Sequence, residues 1–257
     1  MTTVPQYTVT AVRLGTMVVD RSALTFGAGA GEPVEIPTWG AAVQAGSTRM
    51  LIDTGLAEPE RWNERFPCAQ PPSETLPRAL AELGWHPNDV DVVINSHLHF
   101  DHAGNNVALP NAQFYVSAAE WEFARNPVAT QAWSYDFGWT DEAVTYMQYR
   151  FVGTDHFDVL PGIRIIATPG HTPGHQSVLV QTAEGVLCVA GDAACLVDNF
   201  RLPAPPGVVE NVTSALTSLR KIASLADAVL INHDPTISSF QSAGFPRLTV
   251  PSEPSSA

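Results

Sequence analysis

Apolar and polar positions alternate along 7–19 (YTVTAVRLGTMVV) and 48–53 (TRMLID), and this period of two predicts β-strands, with a further strand at Thr38–Ala45 between them. A glycine-rich stretch at 27–31 supplies a turn. The period then lengthens: Leu76, Leu80 and Leu83 recur one helical turn apart ahead of Gly84, predicting a helix over about 74–83 in which Pro77 fits only the first turn. Val90–Asn95 (VDVVIN) hardly alternates and reads as a strand buried on both faces, ending at Ser96-His97. Gln113–Ser117 is another strand, and Ser117-Ala118-Ala119-Glu120 reads as a capping box that opens a helix through Arg125.

The second half repeats this style. Strands at 156–160 and 163–168 flank Pro161-Gly162, and Gln176–Gln181 and Val186–Ala190 flank a turn at Glu184-Gly185. A helix over about 208–225 places Val212, Leu216, Leu219 and Ile222/Ala223 on one face, and Ala228–Ile231 is a last short strand running into Asn232-His233-Asp234. Residues 127–150 break the pattern and concentrate Trp133, Tyr135, Phe137, Trp139, Tyr146 and Tyr149, a stretch that reads as core or as a lid over 128–150. Two strand-rich halves with helices between them imply an α/β protein of the αββα sandwich type, two sheets face to face with helices outside, as one domain over 1–247 with a flexible tail at 248–257.

Composition narrows the partners. Thirteen basic against 26 acidic residues leave a formal charge of −13, and Lys221 is the sole lysine, so no basic stripe is available for nucleic acid or an anionic membrane. A small-molecule substrate fits better, on a monomer or homodimer. With no basic and apolar leader and no run of about 18 apolar residues, the chain reads as cytoplasmic. Cys68, Cys188 and Cys195 are widely spaced without a C-x-x-C pair and read as free thiols.

The histidines carry the chemistry. Six of the eight stand at 97, 99, 102, 171, 175 and 233, whereas His86 and His156 read as surface or loop residues. In His97-Leu98-His99-Phe100-Asp101-His102, alternate side chains of an extended segment point the same way, so His97 and His99 can converge on one ion while Asp101 and His102 turn toward another. His171, Asp192 and His233 follow, each at the end of a strand. Five imidazoles and two carboxylates suit two divalent cations about 3.5–4 Å apart, with one carboxylate able to bridge; zinc is the first choice and cobalt, manganese and iron are also compatible.

With these motifs, and with Leu51-Ile52-Asp53-Thr54-Gly55 upstream, nearly the whole chain resembles the metallo-β-lactamase fold superfamily. The resemblance implies that His97, His99 and His171 hold the first metal, that Asp101, His102 and His233 hold the second, and that Asp192 bridges them, with Asp53 and His175 as supports behind the ligands. The bridging Asp192 and the ligand His102 differ from the true β-lactamases. His99 stands where the di-iron redox branch carries a Glu, which favours hydrolysis. Glyoxalase II shares the seven ligands but holds glutathione with C-terminal basic residues, of which only Arg220, Lys221 and Arg247 are available here. The segments Ser96–Gly104 (SHLHFDHAG) and Thr168–Ser177 (TPGHTPGHQS), together with Met17-Val18-Val19-Asp20 and Pro37-Thr38-Trp39, are most similar to N-acyl homoserine lactonases and pyridoxolactonase-like enzymes.

That resemblance implies hydrolysis of a lactone, with Asp101 as the proton shuttle and Met17, Trp62, Phe66 and Leu109 as the apolar wall of the substrate pocket. One position departs from it. Such lactonases usually carry a tyrosine three residues after the bridging Asp, and here that position is Cys195, a weaker hydrogen-bond donor facing the same pocket. Another metallohydrolase, such as a thioesterase or phosphodiesterase, or a non-catalytic metal-binding protein are the other classes compatible with the same ligands.

Overall fold

The computed structural model describes residues 4–135, 147–202 and 204–248. Strands β1 (Thr8–Asp20), β2 (Pro33–Ala45) and β3 (Thr48–Ile52) form an antiparallel meander. The first strand also pairs with the short β4 (Cys68–Ala69), and β3 continues into a parallel series of β5 (Val92–Ile94), β6 (Gln113–Ser117) and β7 (Gln148–Val152). A second sheet contains β8 (His156–Leu160), β9 (Ile163–Ala167), β10 (Gln176–Thr182), β11 (Gly185–Val189) and β12 (Ala228–Leu230), with the spatial order β12-β11-β10-β9-β8. The predicted second strand begins earlier than expected, because β1 stays paired to its end, with Asp20 opposite Pro33. Proline is tolerated as a first strand residue.

Alternation along the strands builds the layers. Val9 and Ala11 of β1, Ala41 and Val43 of β2, and Met50 and Ile52 of β3 face Ile163, Ile165, Val178, Val180, Leu187 and Val189 across the interface between the sheets. Their neighbours in sequence face outward. Val12, Leu14, Ala42 and Leu51 pack against Leu76, Ala79 and Leu80 of helix α1 (Leu76–Glu82). Short helices α2 (Phe100–Ala103), α3 (Ala118–Arg125) and α4 (Asp198–Arg201) precede α5 (Val212–Leu225), which covers the second sheet with Leu219 and Ile222 against Ile166, Cys188, Val229 and Ile231. The result is the αββα order.

Two helices differ in detail from the sequence reading. α5 starts at Val212 rather than near 208, since Asn211 Oδ1 accepts a hydrogen bond from Ser214 N at 2.9 Å and caps it there. Its buried face is Ala215, Ser218, Leu219 and Ile222, with Leu216 only half-buried; Ser218 is accommodated because its Oγ donates to Pro169 O at 2.7 Å. Ser117 does cap α3, but Glu120 is fully buried and turned inward, so its carboxylate serves a tertiary role.

The expected tail boundary falls beside Leu248, whose N–H still donates to Asp227 O; residues 249–257 lie outside the described residues, as do residues 136–146 of the expected lid, with Phe137, Trp139 and Tyr146. Among the described residues no helix is long and apolar enough to cross a membrane.

Candidate metal centre

Five strands of the two sheets end at one edge and deliver the polar residues there. Asp53 follows β3, Asn95-Ser96-His97 follows β5, Thr168 to His171 follow β9, Gly191-Asp192 follows β11 and His233 follows β12. The turns are tight. Gly170 has φ +142° and a Cβ there would meet Ala215 of α5 at 2.4 Å, while Gly191, with φ +54°, leaves room for Ser96 and His175. Any larger residue at either place would displace the ligand that follows it.

The predicted ligands converge and are all buried. His97 Nε2 and His171 Nε2 lie 3.0 and 3.1 Å from His99 Nδ1. In the adjoining group, His102 Nε2 is 3.6 Å and His233 Nε2 3.5 Å from Asp101 Oδ2. Asp192 spans the two groups: Oδ1 is 3.3 Å from both His102 Nε2 and His233 Nε2, and Oδ2 is 3.5 Å from His171 Nε2. Four ligand atoms set around a zinc ion at 2.0–2.1 Å would be roughly 3.3 Å apart at the corners of a tetrahedron, which matches these spacings. Asp192 Oδ1 makes no properly directed hydrogen bond despite its two close nitrogens, as expected where lone pairs converge on a common cation.

The remote ring atoms fix the tautomers. His171 Nδ1 donates to Val208 O at 2.6 Å and His233 Nδ1 to Pro37 O at 2.9 Å, so each presents an Nε2 lone pair to the centre. His102 Nδ1 lies 2.9 Å from Asp53 Oδ2. The Asp53 carboxylate is further held by Ser96 N and Ser96 Oγ, both at 2.7 Å, and Ser96 Oγ is 3.0 Å from His97 Nδ1. Asp53 adopts φ +59°, a left-handed conformation that Asp tolerates better than most residues, and this turns its carboxylate under the ligands.

Charge divides the site. Burial, reinforced by the neighbouring imidazoles, holds His97 and His99 well below the ordinary histidine range, and burial also lowers His171. At His102 and His233 burial acts in the same direction, but the carboxylates led by Asp192 outweigh it and raise both. Burial would raise Asp192, yet His233 and His102 hold it well below the usual carboxylate range. Burial takes His175 down to about 3, so its imidazole is neutral; Nδ1 is tied to Thr168, behind the ligand cluster.

Sequence reasoning missed two supports. Glu120 Oε1 accepts from Leu98 N and Tyr135 Oη, both at 3.0 Å, and Oε2 accepts from Thr172 Oγ1. It thereby ties the backbone between His97 and His99 to the residue after His171, while the Tyr135 ring packs edge-on against His99 with centroids 4.7 Å apart. Gln131 donates from Nε2 to His171 O at 2.8 Å. Neither residue carries a local signal, because both act through contacts distant in sequence.

Above the ligands opens a cavity of about 470 Å³ with His99, Asp101, His171, Asp192 and His233 on its floor. Met17, Phe66 and Cys195 line it. Leu109 does not: it is wholly buried in the core beneath α1. Trp62 is likewise displaced, stacking at 3.8 Å on Phe100 and lining a neighbouring cleft, so that Phe100 forms the wall between them. Burial, with Asp192 and Asp101 adding to it, pushes the Cys195 thiol well up and keeps it neutral.

The chain matches the family model described as the metallo-beta-lactamase superfamily over residues 37–232. It is 30% identical over 239 residues to an N-acyl homoserine lactonase of a Bacillus species, covering 87% of this chain and 91% of that one, and 29% identical over the same shares to one of Bacillus cereus. Among solved structures, an N-acyl homoserine lactone hydrolase with N-hexanoyl-L-homoserine bound at its catalytic metal centre superposes with a TM-score of 0.78 at 24% identity, covering 91% of this chain and 95% of that one. A dizinc quorum-quenching lactonase gives 0.69 at 17% identity, covering 97% and 93%. The matched family model and these relatives agree with the two-sheet fold: the chain belongs to the metallo-beta-lactamase superfamily.

Proposed function

We propose that the protein is a dinuclear-metal hydrolase that opens the ring of N-acyl homoserine lactones, with zinc as the metal. The observation that carries this is the cluster of five imidazoles and two carboxylates at ligand spacing, three of the imidazoles and both carboxylates of which form the floor of a cavity with a largely apolar wall. His97, His99 and His171 would hold one cation and Asp101, His102 and His233 the other, with Asp192 between them. Bound there, two divalent cations supply a water acidified toward neutral pH and a polarised ester carbonyl.

The side chains do the rest. Met17, Ile36, Phe66 and Phe100 exclude water and accept an acyl chain. The Asp101 carboxylate is exposed to the cavity between His102 and His233, placed to receive the proton lost from the attacking water and pass it to the ring oxygen as it leaves. Cys195 offers only a neutral thiol, a weak donor, toward the same space. Hydrolysis of homoserine lactones, a bicyclic aromatic lactone, thioesters and phosphodiesters by the zinc-loaded enzyme tests the reading. Preferred turnover of the homoserine lactones, abolished by a chelator and restored by zinc, is the expected result. Turnover of a thioester or phosphodiester but no lactone would overturn it.

A further inference from the structure

The cavity wall carries one cation that the lactonase reading does not use. Among the described residues nine of the thirteen Lys and Arg side chains sit in ion pairs with Asp or Glu. Arg65 is not among them, and among the described residues it is the one Lys or Arg lining the cavity. Its guanidinium carbon lies 4.1 Å from the centroid of the Trp133 ring. Both partners are held: Trp133 Nε1 donates to Thr130 O at 2.9 Å, and Phe66, next to Arg65, meets the Trp133 ring edge-on with centroids 5.7 Å apart.

A guanidinium stacked on an indole engages its face, whereas its N–H donors lie in its plane and remain free to bind an oxygen acceptor. The other charge on the wall does not compete for them. Asp20 is occupied within its own turn, its Oδ1 accepting from Ser22 N and Ser22 Oγ and its Oδ2 from Gly31 N. The rest of the wall is largely apolar, with Met17, Val19, Leu24, Ile36 and Phe100 offering no donor side chain and the Ser134 hydroxyl and the Cys195 thiol as its uncharged polar groups. Arg65 is exposed at the mouth of the cavity, so an unsubstituted alkyl chain laid along this wall would leave its donors to solvent.

We propose that Arg65, preorganised on Trp133, is a specificity-determining residue that binds an oxygen acceptor on the acyl arm of the substrate. The enzyme then prefers lactones whose acyl arm bears a keto group or a terminal carboxylate over plain alkyl ones of equal length. This rests on the lactonase reading. The shared chemistry is the acceptor, and the two substrate types separate a neutral acceptor from an anionic one.

The test compares kcat/KM for N-hexanoyl, N-(3-oxohexanoyl) and carboxylate-terminated N-acyl homoserine lactones with the zinc-loaded wild type, Arg65→Ala, Arg65→Gln as a less disruptive second variant, and Arg78→Ala as a control on the outer helix. The expected result is a preference for at least one oxygen-bearing arm that falls about tenfold in both Arg65 variants, through KM, the size of one charge-assisted hydrogen bond. The control keeps the wild-type ratio. If the keto arm alone shows the effect the acceptor is neutral, and if the carboxylate arm alone shows it, and weakens with added salt, the acceptor is anionic. A wild-type ratio at or below one for both arms, or a ratio unchanged in the Arg65 variants, overturns the proposal and leaves the lactonase standing. Hydrolysis of no lactone by the wild type overturns the lactonase reading and the proposal with it.

Discussion

His97, His99 and His171 bring three imidazoles together with one shared carboxylate at their margin, whereas His102 and His233 meet the carboxylates of Asp101 and Asp192 directly. The first group is neutral by burial. In the second, the carboxylates led by Asp192 outweigh burial and raise both histidines. Their scaffolds differ as well. Glu120 braces the first group through backbone and hydroxyl donors, never touching a ligand ring, while Asp53 contacts the His102 ring itself. One group depends on the positions of its loops and the other on direct charge contacts. Both must be right for two cations to sit side by side.

The residue common to both groups should show the largest effect. Asp192→Asn keeps the shape but removes the anion that faces His171, His102 and His233. We expect bound zinc to fall below two per chain and lactone turnover to drop about 1,000-fold, equivalent to roughly 4 kcal/mol of lost transition-state stabilisation. Metal analysis and kcat measure it. Two zinc ions with near wild-type kcat would show that the two groups work without a shared carboxylate.

Next come the two scaffolds, taken one at a time. Replacing a partner behind a metal ligand costs about 10–100-fold in metal affinity. In a two-step zinc titration, Asp53→Asn should weaken chiefly the step belonging to the second group, with a smaller effect on the other relayed through Ser96 to His97. Glu120→Gln keeps one acceptor for Leu98 N but loses the anion between Tyr135 and Thr172, and it should weaken the other step. The double variant should weaken both. If the two single variants lower the same step, the division between the groups is wrong.

This comparison also separates what could be read from the sequence from what could not. The cluster of candidate ligands is legible because each follows a strand and because H-x-H-x-D-H places four of them within six residues, a local pattern. Asp53 was visible for the same reason. Glu120 looked like one half of a capping box, since Ser117 three residues before it does cap the helix; only the approach of the Leu98 and Thr172 loops shows where its carboxylate goes. Pocket walls fared worse. Leu109 and Trp62 have the right chemistry for an acyl site, but side-chain direction decides, and it sends Leu109 under α1 and Trp62 behind Phe100. The shifted face of α5 has a similar cause: Ser218 reads as polar until Pro169 O accepts its hydroxyl.

The smallest effect belongs to the residue behind both groups. His175 is buried with its pKa lowered from 6.5 to about 3, so between those values the unfolded chain carries a proton that the folded chain does not. Folding stability therefore has its full value above about pH 6.5 and declines as the pH falls toward 3, because protonation favours the unfolded state. His175→Gln has no proton to bind. Its own burial costs some stability at neutral pH, but the slope of stability against pH over that window should become shallower, by roughly one proton's worth of uptake. Urea unfolding at a series of pH values, in chelator so that cation release does not add its own dependence, measures the slope for wild type and variant. Parallel curves would mean that His175 is protonated as readily in the fold as out of it, which its burial opposes first and the His171 ring, 6.1 Å away centroid to centroid, opposes as well.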